Sequence, residues 1–381
     1  GSWATGPDME LTAKLRAHVE FLASPQLKGR KPGTPGNLAA ADYIAAQFRD
    51  IGLDLLPSVG SYFQHISAPV GDNLIGVHHP PASSERLARW LLLGAHFDHL
   101  GESGGDIYFG ADDNASAVAI LLETARTLRP LNHFSFGSLA FNAEEPPYFL
   151  MGSNFFVQHL PQEIGSPSAI QAVMVMDLMG GVFWPPLRDV VFALGAEKSE
   201  KLYRRLKQTT LSDHSLSILQ VGIHLIEEVP FVGQLPFSDY HAFRNAGVPY
   251  VFLSSGRTPH YHKPTDRPDT LNYERMAQTV LWLQQLIYAM DQDCEPYGFE
   301  ADRLEFADEF ETVRSLVTLA ANRATEIPGT SPITRLKLQR DAEWLNEISP
   351  LATTKEKIQR LEKISMRLQC LLADVPMAFL I

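Results

Sequence analysis

Apolar residues recur at helical spacing over residues 10–23 (ELTAKLRAHVEFLA) and again from about Asn37 to Ile51. Between them lies SPQLKGRKPGTPG, a turn-rich loop with basic residues. Residues 61–79 predict extended segments that end in the run Asn73-Leu74-Ile75-Gly76-Val77. From there short apolar runs alternate with helical patterns. Strands are predicted at Trp90–Ala95, Phe134–Phe141, Ala172–Met176, Val190–Leu194 and Val248–Leu253. Helices are predicted at Ala115–Leu128, at Ser199–Thr210 with a basic face, and at Tyr273–Met290. Such alternation points to an α/β fold: a mostly parallel mixed sheet sandwiched between helices.

The texture changes after Tyr297. Residues 303–325 and 334–374 read as helical, broken by Pro328-Gly329 and by Ser349-Pro350. Their apolar positions, among them Leu316, Leu319, Leu336, Leu345, Ile358, Leu361 and Leu368, fall at helical spacing. The expected organisation is a catalytic body over residues 1–296 and a helical extension over 297–381 packed on it.

Composition narrows the partners. A chain of 381 residues with net charge −12 and no basic run argues against nucleic acid as a partner. No stretch has the length of a membrane span. Gly1-Ser2 reads as a cloning scar, so a periplasmic or secreted protein whose signal peptide has been removed is expected. Cys294 and Cys370 form either one disulfide or two thiols, and neither has metal-type spacing. Any metal is therefore held by histidine and carboxylates. The oligomeric state stays open.

The candidate chemistry gathers at strand ends. Trp90–Ala95 leads into His96-Phe97-Asp98, Phe134–Phe141 into Ala143-Glu144-Glu145, and Ala172–Met176 into Asp177. In open α/β sheets, sites form beyond the carboxyl ends of the strands. Two further pieces join them: Gly110-Ala111-Asp112-Asp113-Asn114-Ala115-Ser116 at a helix entrance, and His260-Tyr261-His262-Lys263-Pro264-Thr265-Asp266 after Val248–Leu253. Taken singly, each piece has an ordinary use as a turn, a helix cap or a solvated face. Taken in order, they supply a mixed His/Asp/Glu set of the kind that suits zinc.

The stretches GAHFDHLG, YFGADDNASAVA, FNAEEPPYFLMGS, MDLMG, FSDYHAFRNAGVPYVFL and HYHKPTDRPDTL carry a resemblance. Over roughly residues 10–290 the sequence resembles the zinc aminopeptidases whose family also includes glutamate carboxypeptidase and, more distantly, glutaminyl cyclase. The resemblance implies two zinc ions as cofactors. His96 and Asp177 would hold one, Glu145 and His262 the other, and Asp113 would bridge both. It also implies an unusual cis peptide after the bridging aspartate, here Asp113–Asn114. Asp98 would orient His96, and Glu144 would act as general base on a metal-bound water. Tyr261 would donate a hydrogen bond to the oxyanion. Gly256 and Arg257, in the loop leading to Tyr261, read as turn residues, with lining of the substrate pocket as the alternative.

Two departures from the family pattern concern the pocket more than the metals. Tyr240 stands where relatives often carry histidine, with His241 one place later, and Pro146-Pro147 replaces a common Leu-Gly pair. His65, His78, His79, His99 and His133 match no ligand position and read as surface or packing residues. The leading expectation is an aminopeptidase acting on peptides with a free N-terminus. The alternatives are a mono-zinc glutaminyl cyclase-like acyltransferase, a carboxypeptidase of the glutamate type, and a non-catalytic binding domain of the same fold.

Overall fold

The computed structural model describes residues 6–82, 84, 86–229 and 231–374. Two helices open the chain, α1 (Gly6–Leu22) and α2 (Pro35–Ile51). Helix α2 starts two residues before the predicted boundary, because Thr34 caps it by accepting from the Asn37 N–H and Pro35 fits its first turn. Then follow β1 (Phe63–Ser67), β2 (Gly71–His78), β3 (Trp90–His96), α3 (Ala117–Thr127), β4 (Ser135–Phe141), α4 (Met151–Gln158) and β5 (Ile170–Met176). The second half of the body contains β6 (Val190–Leu194), α5 (Glu200–Gln208), β7 (Ser217–Val221), α6 (Tyr240–Asn245), β8 (Tyr250–Ser254) and α7 (Tyr273–Met290).

The strands form one sheet in the order β1-β2-β4-β3-β5-β8-β6-β7. Its centre, β4-β3-β5-β8, is parallel. The pairs β1–β2, β2–β4 and β8–β6 are antiparallel, and β6–β7 is parallel again. The mixed α/β sheet expected from the sequence is therefore the fold.

Strands β3, β4 and β5 are buried along their whole length. Covered on both faces, they read as continuous apolar runs. Alternate residues serve different layers. Leu91, Leu93, Ala172, Met174 and Val251 pack with α1, α2, α3 and α7, whereas Leu92, Val173, Val175 and Phe252 pack with Phe156 of α4 and Phe243 of α6.

The C-terminal region forms α8 (Phe306–Asn322), α9 (Pro332–Glu347) and α10 (Lys355–Leu372). Ser331 and Thr354 cap the latter two by accepting from Thr334 and Lys357 N–H groups. The three helices share an apolar cluster with Trp184, Leu187, Val190 and Leu225 of the body. Cys294 and Cys370 are free thiols.

Candidate metal centre

Strand β3 delivers His96, whose ring is fully buried. Its Nδ1 lies 3.2 Å from the Asp98 carbonyl oxygen and 3.3 Å from Asp98 Oδ1. The Asp98 carboxylate also accepts the backbone N–H groups of Glu144 at 3.1 Å and Glu145 at 3.2 Å. One buried aspartate thus sets both the imidazole and the Glu-Glu pair. That pair follows β4 through Ala143, whose φ of 57° is left-handed. A non-glycine residue held there is a local strain of the kind found at functional sites.

Asp113 sits in a wide turn before α3, followed by a cis peptide to Asn114. Three buried side chains hold this turn. Asp266 accepts the Asp112 N–H at 2.7 Å and the Asp113 N–H at 3.1 Å. Asn114 donates to the carbonyls of His96 and Met176, tying the ends of β3 and β5 to the turn. The Arg30 guanidinium donates to the carbonyls of Phe97 (2.5 Å), Leu22 (2.9 Å), Phe109 (2.6 Å) and Gly110 (2.7 Å). Asp112 turns away and accepts the N–H groups of Gly180 and Gly181.

The remaining groups converge on Asp113. Its Oδ1 lies 3.3 Å from His96 Nε2, and its Oδ2 lies 3.0 Å from His262 Nε2. Glu145 Oε2 is 3.0 Å from the same His262 nitrogen. On the other side, His96 Nε2 is 3.5 Å from Asp177 Oδ2 and 3.4 Å from Glu144 Oε2. Asp177 is steadied by Ser238, whose hydroxyl donates to it at 2.6 Å. Tyr261 stacks on His262 with ring centroids 3.9 Å apart. The structure thus brings His96, Asp98, Asp113, Glu144, Glu145, Asp177, Tyr261 and His262 into one cluster.

The donor set fits metal ions. His96, Glu144 and Asp177 form one metal-capable group, and His96, Asp113 and Glu145 a second. Donors bound to a tetrahedral zinc at about 2.0–2.1 Å stand roughly 3.3 Å apart, close to the separations seen here. His96 Nε2, Asp113 Oδ2 and His262 Nε2 are buried without an aligned hydrogen bond among the described residues. Buried polar atoms are rarely left so, and a bound metal ion would account for it.

Electrostatics agree. Burial, reinforced by Glu145 and Asp177 against the pull of His96, pushes the Glu144 carboxyl well above the usual range. Burial and then Asp113 do the same to Glu145. Burial opposes charge on His262, but Asp113 and Glu145 outweigh it and raise the imidazole to about 10. Carboxylates crowded in this way call for added positive charge, which bound cations supply while displacing protons.

His99, read from the sequence as a surface or packing residue, is fully buried in the cluster. Its Nδ1 lies 3.5 Å from Glu145 Oε1, neither ring nitrogen has an aligned partner among the described residues, and burial lowers it to about 3. Its place three residues beyond the strand end at His96 was the available signal. Arg30, Asn114, Ser238 and Asp266 were likewise not singled out as site residues. The departures are absorbed structurally. Tyr240 is buried and bonded to Glu227, and the ring nitrogens of His241 contact Arg244 and Asn245. The Pro146–Pro147 bond is cis.

The model of peptidase family M28 matches residues 73–286, more than half the chain and every residue of the cluster from His96 to His262. The chain belongs to peptidase family M28. Among relatives of this M28 protein, the uncharacterised protein YfbL of Escherichia coli is 27% identical over 273 residues, covering 65% of this chain and 79% of that one. A glutaminyl-peptide cyclotransferase-like protein of Bos taurus is 28% identical over 257 residues, covering 60% of this chain and 63% of that one. The fold is shared with BSAP, a zinc aminopeptidase from Bacillus subtilis, at a TM-score of 0.56 and 15% identity, covering 77% of this chain and 98% of that chain.

Proposed function

We propose that this M28 protein is a zinc aminopeptidase with two co-catalytic zinc ions, and that residues 1–296 form its catalytic unit. The observation that carries the reading is the Asp113 carboxylate, with one oxygen 3.3 Å from His96 and the other 3.0 Å from His262. A carboxylate divided between two histidines supports a site in which Asp113 would be shared by two ions. His96 and Asp177 would then complete one site, and Glu145 and His262 the other. Bound there, zinc supplies Lewis acidity toward the scissile carbonyl and acidifies water.

The chain's own residues do the rest. Glu144 has the most open carboxylate of the cluster, with its side chain 10% exposed against 3% for Glu145. It takes the proton from the attacking water and hands it to the leaving amine. Tyr261 is kept protonated by burial and by the field of Asp113, Glu145 and Glu144, against the opposing pull of Arg257. In that form it donates to the developing oxyanion. Asp98 holds the His96 ring and aims the Glu-Glu backbone. The excess of carboxylates attracts a free α-ammonium group, which favours an N-terminal substrate.

Glu144→Gln tests the assignment. It keeps the shape and the neighbours and removes the base. The expected result is full zinc content with turnover of aminoacyl substrates lowered by about a hundredfold to ten-thousandfold. Wild-type turnover in that variant would remove Glu144 from the mechanism. The likeness to a cyclotransferase-like protein supports a second reading, cyclisation of N-terminal glutaminyl peptides with one zinc. Formation of pyroglutamyl product from a glutaminyl peptide, with no aminopeptidase turnover, would favour it.

A further inference from the structure

Beside the cluster, helices α8 and α10 roof the β8-β6-β7 end of the sheet and enclose a cavity of ≈ 430 Å³. Phe192 and Phe252 line it from the sheet, Val313 and Leu316 from α8, and Leu368 and Leu372 from α10. An apolar cavity of about 150 Å³ already admits benzene, so this one exceeds the needs of a single side chain. Its lining continues through Ser254 and Gly256 to Arg257 at the site end of β8. The Arg257 guanidinium lies 4.6 Å over the Phe237 ring, part of the cavity wall, and 4.5 Å over the Tyr261 ring, part of the metal centre. Arg257 is exposed, and no salt bridge joins it to a carboxylate among the described residues. A ligand passing from the cavity to the cluster therefore meets a planar cation held between two aromatic faces and free to pair with an anion.

We propose that this cavity and Arg257 form a subsite for short apolar peptides with a free C-terminal carboxylate. The cavity takes apolar side chains and Arg257 takes the carboxylate. Apolar lining with one convergent charged group is the composition of a selective small-molecule site, and an Arg–carboxylate pair supplies orientation as well as affinity. The C-terminal helices then set which side chains fit. The identity of the ligand as a peptide rests on the peptidase reading, whereas the apolar, anionic chemistry does not.

Two measurements on the zinc-loaded protein separate these. The first is calorimetric binding of octanoate, which has an apolar chain and a carboxylate but no scissile bond. Wild type should bind it, and Arg257→Gln and Leu316→Trp should each weaken binding roughly tenfold. Arg257 is exposed, so its substitution does not test the fold. The second is cleavage of Phe-Leu against Phe-Leu amide. Wild type should prefer the free acid by roughly tenfold in kcat/KM, and Arg257→Gln should bring that ratio toward one. Octanoate binding that neither variant alters, or equal wild-type cleavage of acid and amide, would overturn the proposal. Octanoate bound through Arg257 with no peptide cleaved would uphold the subsite and sink the peptidase reading instead.

Discussion

Asp98 concentrates the logic of the site in one side chain. It approaches Nδ1 of His96 and accepts the backbone N–H groups of both Glu144 and Glu145. Asp98→Asn would keep the size but place an amide donor against N–H groups. Zinc affinity should fall about 10–100-fold, as for other groups that orient metal ligands. Competition with a chromophoric chelator measures this, and unchanged affinity would show that the ligands stand without Asp98. The convergence of His96, Asp113, Glu145, Asp177 and His262 was legible, because each follows an apolar strand or opens a helix, and their order matches the family. Arg30 and Asp266 were not. Their value lies in carbonyls and N–H groups contributed by distant segments, and no local pattern marks that. His99 was legible in position but not in environment, since a fully buried imidazole and a surface one look alike in sequence.

The central strands were the easiest elements to read. Burial on both faces demands unbroken apolar runs, and β3, β4 and β5 have them. The edge strand β7 and the short helices α4 and α6 were missed. Strand β7 (SILQV) is only half-buried, and α4 (MGSNFFVQ) mixes Gly, Ser and Asn into two turns. The C-terminal helices were legible as helices, but their tether to the body was not. His224, in the short helix His224–Glu227, lies 2.8 Å from Glu309 of α8 and 3.3 Å from Glu362 of α10. Burial opposes its charge, yet the two carboxylates raise it to about 9. A histidine raised in the folded state contributes stability that is full below its unfolded value of about 6.5 and is lost as pH rises through about 9. Its contribution is on the order of 2–3 kcal/mol. The thermal unfolding temperature should therefore fall between pH 7 and 9, to an extent that His224→Gln reduces. An identical pH dependence in the variant would show that the tether is not the titrating group.

At the scale of the whole molecule, one sheet edge collects the chemistry. Parallel strands β3, β4, β5 and β8 all end on the same side, and that side receives His96, the Glu-Glu pair, Asp177 and the loop to His262. This is the general behaviour of open α/β sheets, which is why fold and site could be read together. The roofing of the sheet end by α8 and α10 could not, because apolar spacing shows that a helix has a buried face but not what that face covers.

The central claim is a pair of zinc ions bridged by Asp113. It is tested most directly by elemental analysis of protein purified without chelator, with zinc counted per chain. Two zinc ions per chain are expected, falling to one or fewer in Asp113→Ala. A single zinc in the wild-type protein that is indifferent to Asp113→Ala would contradict the bridged centre.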